Sequence, residues 1–216
     1  MGKDFLTRVL WIVLLILVPA KTGAAEIVID DYKGGLSPGW KEKVFKERTR
    51  YEVIQEENEW FIKATSRASA SALYYEINFD PRDYPILTWR WKVNRVLTKG
   101  DASRKAGDDY AARVYVVFPS FLFWRTRAIN YIWANKLPRG EIVPNAFTSN
   151  AMMIAVRSGS GEVGNWVGER RNIVEDYRRC FGQDPPSVGA VAVMTDTDNT
   201  GEEAMAWYGP IRVLPH

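Results

Sequence analysis

The segment Thr195-Asp-Thr-Asp-Asn-Thr-Gly201 sets carboxylates at 196 and 198 and an amide at 199 just before a turn glycine. Oxygen donors spaced in this way can surround a calcium ion, so Asp196, Asp198 and Asn199 are candidate ligands. In a helix-loop-helix calcium loop the closing bidentate glutamate would stand at position 207, which is Trp207. The same residues also read as a hairpin turn whose Asp and Asn side chains bond to their own backbone. A second set of reactive types lies on two alternating stretches. Ile86 to Val93 (ILTWRWKV) puts Arg90 and Lys92 on its polar face, and Tyr110 to Phe118 (YAARVYVVF) does the same with Arg113 and Tyr115. If the two stretches share a sheet, these four side chains share a face, with Asp101, Asp108 and Asp109 in the loop between them. The rigid donor fork of arginine suits sugar hydroxyls or a carboxylate-bearing glycan. A solvated outer face gives the same pattern, and cations within one strand repel unless paired, which the aspartates would provide.

A third stretch, Phe121-Leu-Phe-Trp124, is bracketed by Arg125 and Arg127 and followed by Tyr131 and Trp133. Exposed, it could stack on sugar rings, dock a partner or rest on a membrane interface; buried, it is a strand or lid on the core. Other chemistries are removed by what is scarce. The single histidine is His216, which leaves no Ser-His-Asp or Cys-His nucleophile and no histidine zinc site. Cys180 is the single cysteine, so there is no intramolecular disulfide, and beside Phe181 it reads as a small apolar residue rather than a reactive thiol. Carboxylate chemistry survives, yet no acidic pair is singled out for glycoside hydrolysis.

The elements that must position these groups are mostly strands. Strand signals cover Glu26 to Tyr32, the hairpin Tyr51 to Ile54 with Trp60 to Thr65, and Ala72 to Phe79. They continue through Ile86 to Val93, Tyr110 to Phe118, Ala151 to Arg157, Val188 to Thr195 and Ala206 to Leu214. Pro119 to Asn150 reads as the least regular segment, the kind that often carries function. One helix is expected over 171–181, where Ile173, Val174, Tyr177 and Phe181 recur at three- and four-residue spacing before Gly182 and Pro185-Pro186.

Residues 1–25 read as a secretion signal: Lys3 and Arg8, an apolar run from Val9 to Ala20, then small residues ending at Ala25. The run falls short of the ~20 apolar residues a spanning helix needs, so no transmembrane segment is expected once the signal is cleaved. Cleavage would remove Lys3, Arg8 and Lys21 against Asp4 from 29 basic and 26 acidic residues, leaving a net charge of +1. That small excess argues against a nucleic-acid partner. Residues 26–216 suit one domain with a sizeable core. Short strands with Gly-, Pro- and Asp-rich turns predict a mostly β antiparallel β-sandwich, a jelly roll.

The combination of Trp89-Arg-Trp-Lys-Val93, Asp108-Asp-Tyr-Ala-Ala-Arg-Val-Tyr-Val-Val-Phe118, Arg171-Asn172 with Asp176-Tyr177, and Ala192-Val-Met-Thr-Asp-Thr-Asp-Asn-Thr200 resembles a family of exported bacterial proteins of unassigned function. The resemblance covers nearly all of the chain beyond the signal, implies a periplasmic or secreted location, and carries no catalytic residue with it. Asp30-Asp31-Tyr32 and Tyr208-Gly-Pro-Ile211 are similar to the paired end strands of galactose-binding-like jelly-roll carbohydrate-binding modules. That likeness implies glycan binding on a concave face or at loop tips, and a structural calcium. Pro210 stands where such modules often carry an acidic residue. The expectation is an exported binding protein for a glycan or other envelope saccharide, with Arg90, Lys92, Arg113, Tyr115, Asp108 and Asp109 as ligand-binding candidates. The alternatives are a carboxylate-dependent glycan hydrolase or lyase, and a structural or assembly partner in the envelope.

Overall fold

A computed structural model describes residues 25–215; the segment expected to be a signal lies outside them apart from Ala25, as does His216. The strands in chain order are β1 (Ile27–Asp30), β2 (Trp40–Lys46), β3 (Arg50–Glu56), β4 (Glu59–Arg67), β5 (Ala70–Phe79), β6 (Ile86–Val93) and β7 (Arg113–Phe118). They continue with β8 (Arg127–Ala134), β9 (Ile142–Pro144), β10 (Ala151–Ser158) and β11 (Val167–Asn172). After the helix α1 (Ile173–Phe181) come β12 (Val188–Asp196), β13 (Glu203–Tyr208) and β14 (Ile211–Leu214). Two seven-stranded sheets result, ordered β1-β14-β6-β13-β4-β3 with β11 also on β6, and β2-β5-β12-β7-β8-β10-β9. All ladders are antiparallel except β8–β10, which is parallel. This is the expected β-sandwich with one helix. Among the described residues no helix is long and apolar enough to cross a membrane.

Alternation places the core. Leu87, Trp89, Trp91 and Val93 of β6 face Val114, Val116 and Phe118 of β7 and Ile129, Tyr131 and Trp133 of β8 across the sandwich. Trp89 lies 5.2 Å from Tyr131 and Trp91 lies 5.9 Å from Trp133 between ring centroids, so an aromatic stack bridges the two sheets. The opposite face of β8 is covered too: Ile132 and Ala134 join Tyr110, Met153 and Ala155 in a second apolar cluster under Leu137 and Val143. A strand buried on both faces loses its alternation, which is why Pro119 to Asn150 read as irregular although it holds β8 and β9.

Other departures have local causes. The strand expected over Ala206 to Leu214 is two strands, because Pro210 has no N–H to give the ladder. Gly209 closes the gap with its N–H on the Arg90 carbonyl at 2.8 Å, and a Cβ there would sit 2.6 Å from Arg90 Cγ. The helix falls where its spacing placed it. Asn172 caps it by accepting from the N–H groups of Val174 and Glu175, and Gly182 ends it at φ 69°.

Truncating Trp133, which is fully buried, is expected to destabilise the fold by about 3–5 kcal/mol. Trp124→Ala, at a side chain 59% exposed, is expected to change stability by less than about 0.5 kcal/mol. Urea midpoints of the two variants, compared with the parent protein, check the difference.

Candidate functional site

The two stretches expected to share a face belong to different sheets. β6 lies in the first and β7 in the second, so Arg90 and Lys92 sit on the opposite side of the sandwich from Arg113 and Tyr115. The shared cationic face is therefore corrected: alternation was right for each strand, but their pairing was not written in either.

On the first sheet the cations alternate with indoles. Arg90 lies 4.7 Å over the Trp166 ring, and Lys92 lies 5.3 Å from Trp166 and 4.5 Å from Trp207. Arg90 also pairs with Glu59 at 2.5 Å. Indole faces between like charges relieve their repulsion, which accounts for two cations in one strand. A cavity of about 440 Å³ runs beside Arg90, lined with Asp31, Lys33, Glu59 and Arg212. Its charges are largely matched within it, as in Arg90–Glu59 and Lys33–Asp31.

The outer face of the second sheet carries the better-built site. A cleft of about 460 Å³ opens over β5, β12, β7 and β8. Arg113 lies at its floor, buried although it is on the outer face, with Asp108 and Tyr110 of the preceding loop packed against it. Its Nε donates to Asp196 Oδ1 at 2.7 Å and its Nη2 to Asp196 Oδ2 and the Asp108 carbonyl; Nη1 reaches the Tyr115 hydroxyl at 3.3 Å. The guanidinium also lies 4.4 Å over the Tyr110 ring. Arg113 is thus spent on the protein and frames the cleft.

The side chains that line the cleft are rich in oxygen. Asp108 Oδ2 accepts from the Asn145 amide at 2.7 Å, but Oδ1 is buried with no partner. Asn130 donates to Met153 Sδ at 3.2 Å, and its Oδ1 is likewise buried and unpartnered. Phe45 and Phe147 stand at the mouth, 63% and 56% exposed. Asp198 and Asn199 complete one wall.

Burial shapes the charges. It works against the Arg113 cation, but Asp196, Tyr115 and Asp108 around it more than compensate and hold its pKa above the ordinary value. Burial pushes the Asp196 carboxyl up, opposed by Arg113; two N–H donors on two oxygens is the geometry of an ionised pair. Asp198 is also pushed up, first by burial and then by Asp109. The Tyr115 phenol is raised to about 12 by burial. Burial likewise lifts the Cys180 thiol to about 12, so it is no nucleophile near neutral pH.

Of the residues singled out in the sequence, Arg113, Tyr115, Asp108, Asp196, Asp198 and Asn199 meet at this cleft, and Asp109 lies just behind it. Arg90 and Lys92 do not. The turn after Thr195 is not a hairpin: it carries the chain from β12 in the second sheet to β13 in the first. The aromatic stretch splits, with Phe121, Phe123 and Trp124 exposed on a tip and Tyr131 and Trp133 wholly buried. Sequence reasoning missed Asn130, Asn145, Phe45 and Phe147. The one available signal was Asn130, a lone amide in the apolar run Ala128 to Ala134.

The profile of a family described as "Protein of unknown function (DUF3047)" matches residues 38–212, and the chain belongs to that family. No curated protein sequence matches it significantly. Similar solved structures include a carbohydrate-binding module described with the β-sandwich superfamily, at 10% identity and a TM-score of 0.48, where 85% of this chain spans 60% of that one. A family 29 carbohydrate-binding module matches at 10% identity and a TM-score of 0.43, covering 88% of this chain and 91% of its own. A xylan-binding domain from Paenibacillus barcinonensis matches at 10% identity and 0.39, covering 89% and 97%. Likenesses this distant carry no ligand across.

Replacing Arg113 by Met leaves Asp196 buried without its cation, a loss expected to destabilise the fold by about 3–5 kcal/mol. Adding Asp196→Leu to the same protein is expected to recover much of that loss, as read from urea midpoints.

Proposed function

We propose that this member of the family binds a saccharide non-covalently in the cleft on the outer face of the second sheet. The observation that carries the reading is a cleft lined by the oxygen-bearing side chains of Asp108, Asn130, Asn145, Asp198 and Asn199, with the exposed phenyl rings of Phe45 and Phe147 at its mouth. Sugar hydroxyls both donate to and accept from carboxylate and amide side chains of this kind, and the C–H face of a pyranose suits the rings of Phe45 and Phe147. The volume of about 460 Å³ falls within the range of small-ligand clefts. Arg113 and Tyr115 take part as positioning residues. Arg90 and Lys92 lie outside this site.

Export, with residues 1–25 as the signal, would bring the cleft to envelope saccharides. An N-terminus near Glu26 on the protein recovered from the periplasm or medium supports that placement. A second reading, an assembly partner in the envelope, is favoured by one observation: Phe121, Phe123 and Trp124 are exposed together beside Arg125.

The purified protein is expected to bind a subset of a glycan array that includes peptidoglycan fragments, without releasing new reducing ends. Phe147→Ala, at an exposed ring, is expected to weaken that binding about ten-fold, or roughly 1.4 kcal/mol. Asp108→Asn is expected to weaken it further. No binding on the array, or unchanged affinity in both variants, sinks the saccharide reading; new reducing ends would make the cleft a hydrolase site.

A further inference from the structure

The connection between β7 and β8 leaves the sandwich as a tip. Pro119 has no N–H to extend the ladder beyond Phe118, and the chain makes a single 3₁₀ turn over Phe123–Arg125 before β8 begins at Arg127. Three large rings leave the protein here: Phe121 is fully exposed, Phe123 is 79% exposed and Trp124 more than half exposed. Phe123 and Trp124 meet edge to face with 5.1 Å between centroids, so they form one apolar surface. Large apolar side chains belong inside, and a cluster of them outside marks a surface that something else covers.

The turn is held in shape. Arg125 and Thr126 donate their N–H groups to the Leu122 and Phe123 carbonyls at 2.8 and 3.1 Å, and the Asn150 amide donates to the Trp124 carbonyl at 2.7 Å. The rings therefore project from a backbone whose polar groups at these positions are already bonded, which is what entry into a layer poor in water requires.

Charge around the tip has one sign. From Tyr110 to Gly140 the sequence contains no Asp or Glu. A recess of about 480 Å³ at the base of the tip is lined by Arg125 and Arg127 and by no acidic residue. The carboxylates of the adjoining helix and of the turn after it, Asp176 and Asp184, pair instead with Arg171, Arg178 and Arg179. Arg127 has the Tyr177 hydroxyl at 3.2 Å and the Phe181 ring at 4.7 Å, and Arg125 stands exposed. Among the described residues neither cation has a carboxylate within ion-pair distance.

A guanidinium is a planar donor fork that matches phosphate oxygens. Phenyl and indole rings at headgroup level with cations beside them are the means by which a protein rests on an anionic bilayer. A protein partner would call for a face of roughly 800 Å², whereas these rings project from one turn. From the rings and the arginines together we propose that the β7–β8 tip docks on an anionic phospholipid surface. Phe121, Phe123 and Trp124 enter the headgroup layer, and Arg125 and Arg127 bind lipid phosphates. None of these five residues lines the saccharide cleft, so the proposal stands or falls apart from that reading.

The test uses the purified protein and vesicles of phosphatidylcholine with and without phosphatidylglycerol. Co-sedimentation is expected with the anionic vesicles and is expected to fall as salt is raised. Phe123→Ala combined with Trp124→Ala is expected to weaken binding at least ten-fold, and Arg125→Gln about five-fold, the weight of one cation at such a surface. A thiol-reactive fluorophore on Phe121→Cys reads the tip itself, independently of residues 1–25, because the half-buried Cys180 thiol is unreactive near neutral pH. Its emission is expected to shift to the blue on anionic vesicles. An unshifted label, or binding that the ring and arginine variants retain at the parent's affinity, overturns the proposal. Displacement from vesicles by millimolar glycerol phosphate also overturns it, making the recess a site for a free phosphate ester, and no vesicle binding at all returns the tip to a protein partner.

Discussion

A charge taken out of water has to be matched where it lies, and in this sandwich the matched charge is the guanidinium of Arg113. Its partners come from separate stretches of chain: the carboxylate of Asp196 from β12, the carbonyl of Asp108 from the preceding loop, and the hydroxyl of Tyr115 from its own strand. The Tyr110 N–H joins the same carboxylate at 3.3 Å. The Tyr208 hydroxyl reaches across from the other sheet to accept from the Arg113 N–H, 3.3 Å away, and donates to the Met194 carbonyl at 2.6 Å. One polar knot thus locks β7 to β12, pins the loop that forms one lip of the cleft, and ties the second sheet to the first through β13. Its directional bonds set the register that apolar packing alone leaves loose.

The two outer faces show different solutions to the same difficulty. On the first sheet, Arg90 and Lys92 remain near solvent and are separated by the rings of Trp166 and Trp207. On the second, the covering loops bury the charges, and burial forces them into a bonded network. A cation shielded by indoles makes a durable surface. A bonded network under loops holds the floor of a cleft in one shape.

Most of the architecture was legible in the chain because most strands have one wet face. β6 shows this in its clean alternation, and α1 shows it in its spacing and its Asn172 and Gly182 ends. β8 was hidden because apolar cover on both sides removes the period that reveals a strand. The candidate site was half legible. Asp108, Arg113, Asp196 and Asp198 stood out by type and spacing. Which of them meet depends on whether β6 or β12 lies beside β7, and local pattern does not encode strand neighbours. Asn130 and Asn145 carry no motif, since a buried amide is noticed only once its surroundings are known.

The margins of the sheets have a bearing on how the protein behaves in concentrated solution. β2 presents Lys41, Lys43 and Lys46 along its exposed length, β3 presents Arg50 and Glu56, and β9 is three residues long and ends in Pro144. An open strand edge is a template on which another chain can add itself, and charge, brevity and proline each spoil the template. A sandwich with many ladders would otherwise invite edge-to-edge growth into fibrillar aggregates. Here charge guards β2 and β3, and brevity with Pro144 guards β9, so these three margins resist knitting copies of the chain into a shared sheet.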